Sequence, residues 1–423
     1  MKFRYLILAF FILASFACHS KERAKADSKV RFEMAKEYFA AGDSAKALTE
    51  AESAIALDAD NLDAWFLKAE ALAKTGRFDE AFKTAEEGAS HLAPGDQYLK
   101  SHWTGVIHYH KGELEKARAM FTQSAGEMPR FTGNHALLGQ VCTKLNDIEC
   151  AVQSYLKWTE LEPKNDSAWD QLGITYVWAR KFDKAREALD KSLEINPKNA
   201  MAYNYLGTWA AEQNKAADAE QFFTKSIQLD EKNGFAHLNM GQLLMLQKKN
   251  KDAYPYLKRA VELQKDNVYA LFWLGKYHQD AKEFENAAGY FERAVAAQPS
   301  FWAARMGLAE AALTDGQLAP RAEKALSDGL TSDPANKKAH YYYLSRLKLA
   351  GKDFKAALEF ADQAEALLQK GEALMLADLH LLRGQIFEAM KKPAQAEREY
   401  WQAVKLAPKT PIAREALRHL QPK

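Results

Sequence analysis

Apolar residues recur at helical spacing along almost the whole chain, in stretches of about a dozen residues separated by short polar breaks. Between Asp166 and Asn199, two such stretches flank the break Arg180-Lys181-Phe182. Apolar positions three or four residues apart are typical of amphipathic helices, and so short a break is typical of a tight connection. The pattern therefore predicts antiparallel pairs of helices.

The helix pairs repeat with a period of 34 residues. Twelve positions before a recurring alanine, ten of eleven repeats have Gly or Ala, with Leu344 as the exception, and twelve positions after it six repeats have Pro. Small residues let two helices approach closely, and Pro ends the second helix. One repeat cannot bury its apolar face alone, so stacking is expected. The marker alanines are Ala47, Ala81, Ala117, Ala151, Ala185, Ala219, Ala253, Ala287, Ala322, Ala356 and Ala396.

The fifth repeat carries the fullest motif, with Trp169-x-x-Leu172-Gly173-x-x-Tyr176 followed by Ala185 and Pro197. This motif resembles the tetratricopeptide repeat (TPR) signature, and the resemblance covers residues 28–410. It implies an all-α solenoid of eleven helix–turn–helix repeats forming a right-handed superhelix, closed by a capping helix over 411–423. The repeats are expected at 28–61, 62–95, 98–131, 132–165, 166–199, 200–233, 234–267, 268–301, 302–336, 337–370 and 377–410.

The N-terminus has the form of a secretory signal peptide over residues 1–17. Lys2 and Arg4 precede an apolar stretch that is shorter than the roughly 20 residues of a bilayer span. Cys18 follows directly and resembles the lipidated cysteine of bacterial lipoproteins, although Ser15 and Phe16 depart from that family's usual pattern. The resemblance implies an outer-membrane lipoprotein that faces the periplasm, with residues 18–27 as a polar tether. Ordinary cleavage before Cys18, which would release a soluble periplasmic or secreted protein, stays open.

The charge balance argues against binding to nucleic acid, and the cysteine count is compatible with an exported protein. The chain has 58 Lys and Arg against 56 Asp and Glu, and removal of the signal peptide leaves the two counts equal. A neutral chain has no net attraction to nucleic acid or to an anionic bilayer, so membrane contact is expected through the N-terminal lipid anchor only. If Cys18 is lipidated, Cys142 and Cys150 remain as an even pair. They lie almost symmetrically about the turn of the fourth repeat, so a disulfide and two reduced thiols are both open.

Nothing in the sequence indicates an enzyme. The repeats leave 27 residues before them and 13 after, and no phosphate-binding loop, H-E-x-x-H, G-x-S-x-G or dinucleotide-binding motif occurs. His108 and His110 are two residues apart and point to different faces of a helix. Four further histidines occupy the fourth position of their repeats, where packing is expected: His135, His237, His340 and His380. No metal, cofactor or small-molecule substrate is therefore expected.

The TPR resemblance implies a concave groove lined by the second, fifth, ninth and twelfth positions of each repeat. Over the sixth to ninth repeats these positions form an apolar, aromatic and Met-rich stripe, which is typical of a protein-binding site. Some of them are expected to pack between neighbouring helices instead. The paired Lys and Asn of TPR domains that clamp a C-terminal carboxylate are missing. The candidate groove residues are Leu99, His102, Tyr109, Met201, Asn204, Phe235, Leu238, Met245, Tyr269, Phe272, Lys276, Met306 and Tyr341.

The sequence thus predicts a non-catalytic scaffold of the cell envelope that binds a segment of another envelope protein. Its architecture is similar to TPR lipoproteins that assist assembly of pili, secretins or exopolysaccharide export complexes. An adaptor that docks an envelope protease or peptidoglycan hydrolase onto its substrates is the alternative. That assignment depends on architecture alone.

Overall fold

The computed structural model describes the backbone of residues 2–421 and the side chains of residues 21–421. Within these limits the chain forms helices and turns and no strand, as the sequence predicts. Twenty-three α-helices follow one another along the described residues. Short 3-10 helices at Gly316–Leu318 and Pro334–Asn336 precede α18 and α19.

The helices of the described residues have the following bounds: α1 Lys2–Ala40, α2 Ser44–Leu57, α3 Leu62–Lys74, α4 Phe78–Ala89, α5 Tyr98–Lys111, α6 Leu114–Glu127, α7 Thr132–Lys144, α8 Ile148–Leu161, α9 Asp166–Trp178, α10 Phe182–Ile195, α11 Ala200–Glu212, α12 Ala216–Leu229, α13 Gly234–Leu246, α14 Asn250–Leu263, α15 Val268–Asp280, α16 Phe284–Ala297, α17 Trp302–Thr314, α18 Ala319–Ser332, α19 Lys337–Ala350, α20 Phe354–Ala366, α21 Ala373–Ala389, α22 Pro393–Leu406 and α23 Pro411–Leu420.

The chain divides into two compact halves, one ending at Glu212 and the other beginning at Gln213. Within each half, successive helices pack against each other as stacked antiparallel pairs, which is the α-solenoid architecture. Six second helices end two residues before a proline, as at Ile195 before Pro197, so the prolines act as the predicted stops.

In ten of the eleven repeats, the turn between the two helices closes through one residue with left-handed backbone. Glycine takes this conformation in the first three repeats, for example Gly76 at φ 80°. Later repeats use Asn, Arg or Lys, for example Asn146 at φ 59° and Lys282 at φ 61°. A left-handed residue directly after a helix lets the chain reverse while the last carbonyls are still hydrogen-bonded. The ninth repeat uses the 3-10 helix Gly316–Leu318 instead.

Close packing within each pair explains the recurring glycine. A Cβ atom added to Gly275 would lie 2.6 Å from the ring of Phe291, and one added to Gly105 would lie 2.8 Å from the ring of Phe121. Both rings come from the second helix of the same repeat, sixteen residues later. The predicted arrangement of a small residue beside a bulky one is therefore confirmed.

The tenth repeat differs by one residue from the sequence alignment. Ala357, not Ala356, is the fully buried alanine, and Ser345, not Leu344, is the small residue twelve positions earlier. The Ser345 hydroxyl donates to the carbonyl oxygen of Ala357 at 2.7 Å. The cause is an extra residue in α19, which has 14 residues where α9, α11 and α13 have 13. Aligned on Ala357, the tenth repeat follows the rule of the others.

The two ends of the array differ from plain repeats. Helix α1 runs without a break through residues 18–27, the expected polar tether, before it pairs with α2. At the other end, α23 packs on α21 and α22. The imidazole of His419 stacks on the ring of Tyr400 and lies 2.8 Å from the carboxylate of Glu388. The last apolar face thus has its own covering helix.

Candidate functional site

In four repeats, a ring at the fourth position hydrogen-bonds to the segment that precedes the pair of helices. The indole N–H of Trp65 and of Trp169 donates to a backbone carbonyl six residues earlier, at 2.8 and 3.0 Å. The imidazoles of His135 and His237 make the same contact at 2.9 and 3.1 Å. These histidines are buried and have a structural partner, so they pack as predicted.

The same position is charged in the ninth repeat, which the sequence reading overlooked. Arg305 is buried, and its guanidinium donates to the carbonyl of Ala325 and to the hydroxyl of Ser332, each at 2.9 Å. His340 of the tenth repeat lies 3.4 Å from the carboxylate of Asp333. Burial lowers the pKa of His340 and of Arg305. The group therefore forms a buried polar junction between α17, α18 and α19.

In the N-terminal half, the candidate groove residue His102 is buried in a chain of hydrogen bonds. Its Nδ1 lies 2.7 Å from Oδ1 of Asn134, and the amide of Asn134 donates to the hydroxyl of Ser124 at 2.6 Å. The rings of Phe121 and Phe131 contact the imidazole. Burial lowers the pKa of His102, although the hydrogen bond to Asn134 opposes the shift. His102 thus joins α5 to α7 and α6 and is no longer available to a partner.

Asp170 holds the equivalent position in the fifth repeat and was not among the sequence candidates. Its side chain is only 3% exposed; Oδ2 accepts a hydrogen bond from the amide of Asn199 at 2.8 Å, while Oδ1 has no hydrogen-bond partner. Burial raises the pKa of Asp170 to about 6, against hydrogen bonds from Ser192 and Asn199 that lower it. The sequence pattern that predicts this buried pair is an Asp at a groove position together with an Asn at the end of the same repeat.

The other candidates of the N-terminal half are also engaged. Asn204 is buried and its amide lies 3.9 Å from the sulfur of Met201, which is half-buried. Tyr109 is half-buried, with the ammonium group of Lys144 4.4 Å from its ring centroid. Leu99 packs against an apolar core cluster. This half presents little apolar surface at the predicted groove positions.

The C-terminal half presents apolar rings at the second position of two neighbouring repeats. Phe235 opens α13 and is 48% exposed, and Tyr269 opens α15 and is 59% exposed. Helices α13 and α15 contact each other. Phe301 packs edge-on against Tyr269 and Phe272, with ring centroids 5.2 and 6.0 Å apart. We call Phe235, Tyr269, Phe272 and Phe301 the aromatic edge.

The remaining apolar candidates of this half pack inside it. Leu238 and Met245 are buried, and Met306 is half-buried. Tyr341 stacks on Phe360 of α20, because the extra residue in α19 moves it out of the groove register. Of the predicted apolar stripe, the accessible part is therefore the aromatic edge.

Charged side chains near the groove positions pair with each other. The ammonium group of Lys276 lies 3.7 Å from the carboxylate of Glu310 and 3.1 Å from the amide oxygen of Gln279. Lys348 pairs with Glu323 at 2.7 Å, and Lys338 pairs with Glu372. These lysines are therefore not free to clamp a carboxylate.

Cys142 and Cys150 form a disulfide across the fourth repeat. Their Cα atoms are 5.7 Å apart, and the bond joins the end of α7 to the start of α8 over a sequence separation of eight. Cys142 is fully buried. The near-symmetric placement about the turn is what brings the two sulfurs together.

Neither a metal cluster nor a membrane-spanning helix is present in the described part of the chain. No group of three or more His, Cys, Asp or Glu side chains could hold an ion there. His108 and His110 point to different partners, Glu113 at 2.7 Å and Glu70 at 3.7 Å. Among residues 21–421, whose side chains the structure describes, no helix has the length and hydropathy to cross a bilayer. The side chain of Cys18 lies outside the described residues, so its lipidation stays a prediction.

Comparison with known proteins agrees with the repeat architecture. The tetratricopeptide repeat family model matches residues 32–96, 171–234, 238–300 and 274–337. A TPR repeat-containing protein of Methanocaldococcus jannaschii is 29% identical over 130 residues, which are 30% of this chain and 22% of the archaeal protein. More than half of the chain matches the family model, so it belongs to the tetratricopeptide repeat family.

Solved structures share the fold at low sequence identity. A monomeric mutant of IFIT1 bound to Gppp-AAAA is 16% identical with a TM-score of 0.51, over 82% of this chain and 91% of that one. Cut9–Hcn1 is 14% identical with a TM-score of 0.47, over 97% and 94% of the two chains. A TPR protein from Parabacteroides merdae is 16% identical with a TM-score of 0.46, over 67% and 97%. The likeness to the IFIT1 mutant shows a shared fold and carries no information on ligands.

Proposed function

We propose that this TPR protein is a non-catalytic scaffold that holds an apolar segment of another protein at its aromatic edge. TPR repeats are protein-binding modules, and Phe235 and Tyr269 are the large apolar side chains that stay exposed at the predicted groove positions. Large apolar rings that stay exposed on a stable surface are typical of an interaction site. This exposure is the observation that supports the proposal most strongly.

The paired charges near the groove positions define the segment that fits. Because Lys276, Lys338 and Lys348 have carboxylate partners within the protein, a strongly charged ligand would have to break these pairs. An uncharged segment with aliphatic or aromatic side chains has no such cost. The proposed ligand is therefore an apolar segment rather than an acidic tail.

The cellular setting of the proposal is the bacterial envelope. The signal peptide over 1–17 and the lipobox-like Cys18 support export and an outer-membrane anchor, and the disulfide Cys142–Cys150 fits an oxidising compartment. The scaffold would assist assembly of a pilus, a secretin or an exopolysaccharide export complex. Docking of an envelope protease or peptidoglycan hydrolase is the second candidate, since the same groove could serve an adaptor.

Photo-crosslinking tests the proposal. A photoreactive phenylalanine analogue at position 235 or 269 should trap one defined protein in living cells. The same analogue at Trp401, which is 52% exposed in the same half, should trap none and is the matched control. The identity of the trapped protein separates an assembly factor from a hydrolase adaptor, and equal labelling from all three positions would refute the proposed site.

Export is tested separately from binding. Palmitate label should enter the wild-type protein and disappear in the Cys18→Ser variant. If wild-type protein stays unlabelled but is cleaved and found in the periplasm, the protein is secreted without a lipid anchor. That result would leave the proposed binding site unaffected.

A further inference from the structure

Trp178 is the exposed tryptophan of the N-terminal half, at 48%. Among the described residues, its indole N–H has no hydrogen-bond acceptor, whereas Trp65, Trp158, Trp169 and Trp209 each donate to a carbonyl or carboxylate oxygen. A large ring is costly to leave in water, and a buried or half-buried indole usually finds an acceptor. Trp178 therefore presents both an open ring face and a free donor.

The ring borders a concavity of about 440 Å³ on the edge that carries the turns of the fourth and fifth repeats. This volume is within the range of about 300–1,000 Å³ for ligand pockets. Helices α7, α8, α9 and α11 and two turns contribute to it. Its lining residues are Thr143, Asn146, Ile148, Val177, Trp178, Arg180 and Glu212.

The polar groups of this concavity balance each other in charge. Arg180 and Glu212 are both exposed and lie 3.9 Å apart, so the site carries no net charge. The amide of Asn146 is exposed and offers both a donor and an acceptor. Ile148 and Val177 add an apolar strip. The lining thus combines a flat aromatic face, apolar contact and neutral hydrogen-bonding groups.

One wall of the concavity is fixed covalently. Cys142 directly precedes Thr143, and Cys150 follows Ile148 by two residues, so the disulfide holds the two ends of the segment that carries Asn146. A wall that is held before binding costs less entropy when a ligand arrives. The disulfide therefore preorganises this site as well as stabilising the fourth repeat.

From this chemistry we infer that the Trp178 concavity binds a neutral oligosaccharide. The C–H groups on one face of a pyranose ring stack on an aromatic face, while its hydroxyls donate to and accept from amide, indole, carboxylate and guanidinium groups. An anionic ligand would meet Glu212 without a surplus of positive charge. A purely apolar peptide side chain would leave the indole N–H and the amide of Asn146 without partners. A neutral sugar satisfies both the ring and the polar groups.

Titration of the full-length oxidised protein with chitotetraose and with cellotetraose, followed by calorimetry and ligand-observed NMR, tests this inference. We expect saturable binding of at least one of the two tetrasaccharides, weakened at least tenfold by Trp178→Ala. Trp401→Ala is the matched control, since that ring has similar exposure in the other half, and it should leave the affinity unchanged. Trp178→Phe, which keeps a ring, should retain part of the affinity.

Several outcomes would overturn the inference. They are an absence of saturable binding to both sugars, equal affinity in Trp178→Ala, or equal losses in Trp178→Ala and Trp401→Ala. Circular dichroism of each variant separates a lost site from a lost fold. Binding after mild reduction should be weaker than in the oxidised protein, and unchanged affinity would contradict the role of the disulfide wall. A sugar site would stand even if the aromatic edge bound no protein, because the two lie in different halves.

Discussion

The side chains near the start of the first helix are packed differently in the two halves of the chain. In the N-terminal half His102 and Asp170 are buried and hydrogen-bonded to the asparagines Asn134 and Asn199. In the C-terminal half Phe272 packs against Phe301 and leaves Tyr269 uncovered beside it. The position within the repeat therefore sets the direction of a side chain, while its neighbours decide whether a partner can reach it.

The physical difference lies in what each side chain requires. A buried imidazole or carboxylate must be hydrogen-bonded, so His102 binds Asn134 at the start of the next repeat and Asp170 binds Asn199 at the end of its own repeat. A phenyl ring needs only apolar contact, and a neighbouring tyrosine can remain at the surface. In the N-terminal half the side chains at the groove positions stabilise the fold, whereas in the C-terminal half some of them stay exposed and can bind a partner.

Removal of the disulfide should have the largest effect on stability. Closing a loop of this length contributes about 2.5 kcal/mol through the entropy of the unfolded chain, so the Cys142→Ala, Cys150→Ala double variant should lose about that much. The loss should appear in urea unfolding and in faster hydrogen exchange of α7 and α8, with the C-terminal half unchanged. Reduced wild type is the control and should match the variant. A loss spread evenly over both halves would contradict the local role of the bond.

Asn134→Ala should destabilise the N-terminal half by about 2 kcal/mol. The change leaves the hydroxyl of Ser124 and the imidazole of His102 without their amide partner, and buried unpaired polar groups cost about 1–3 kcal/mol. Hydrogen exchange in α5 to α7 measures the effect. If His102 were a partner contact instead, Asn134→Ala would leave hydrogen exchange in these helices unaffected.

Asp170→Asn should stabilise the protein by about 1–2 kcal/mol at pH 7.5. The folded state holds the proton of Asp170 with a pKa of about 6, against an ordinary pKa of 3.8 for aspartate, so ionisation above pH 6 opposes folding. Because the folded state binds the extra proton between about pH 4 and 6, the advantage of the variant should shrink as pH falls through that range. Urea midpoints of both proteins at pH 7.5, 6, 5 and 4 measure the difference. A pH-independent difference would mean that Asp170 does not carry the shifted pKa.

The smallest stability effect belongs to the aromatic edge. Phe235→Ala and Tyr269→Ala should each change unfolding free energy by less than about 0.5 kcal/mol, since exposed side chains contribute little. Their effect should appear in co-isolation of the partner, which should fall at least tenfold in the double variant. Trp401→Ala is the control of matched exposure. A double variant that loses more than about 2 kcal/mol would show that these rings are structural.

Much of the fold could be predicted from the sequence, because it depends on local signals. The period, the prolines after the second helices and the Gly–aromatic pairs such as Gly275 and Phe291 all act within one repeat. The extra residue of α19 escaped detection because Ala356 and Ala357 are adjacent, and only burial tells them apart.

The candidate site was harder to predict, since accessibility depends on the adjoining repeat. The sequence predicts Phe235 and Tyr269 as groove residues, and both are exposed. It also predicts Asn204 and Leu238, which are equally plausible by residue type but are buried. Arg305 and Trp178 were missed for a related reason. Arg305 is a charged residue at a packing position, and Trp178 is a ring at the end of a helix. Their roles can be recognised only from the hydrogen bonds that the structure shows for each side chain.

Oxidative footprinting of the aromatic edge tests the central claim most directly. Hydroxyl radicals should modify Phe235 and Tyr269 readily in the purified protein, because about half of each side chain is exposed. In intact cells, modification of both should fall several-fold relative to Trp401, which serves as the internal reference. That protection is the predicted result; equal modification in the two preparations would contradict a partner at the aromatic edge.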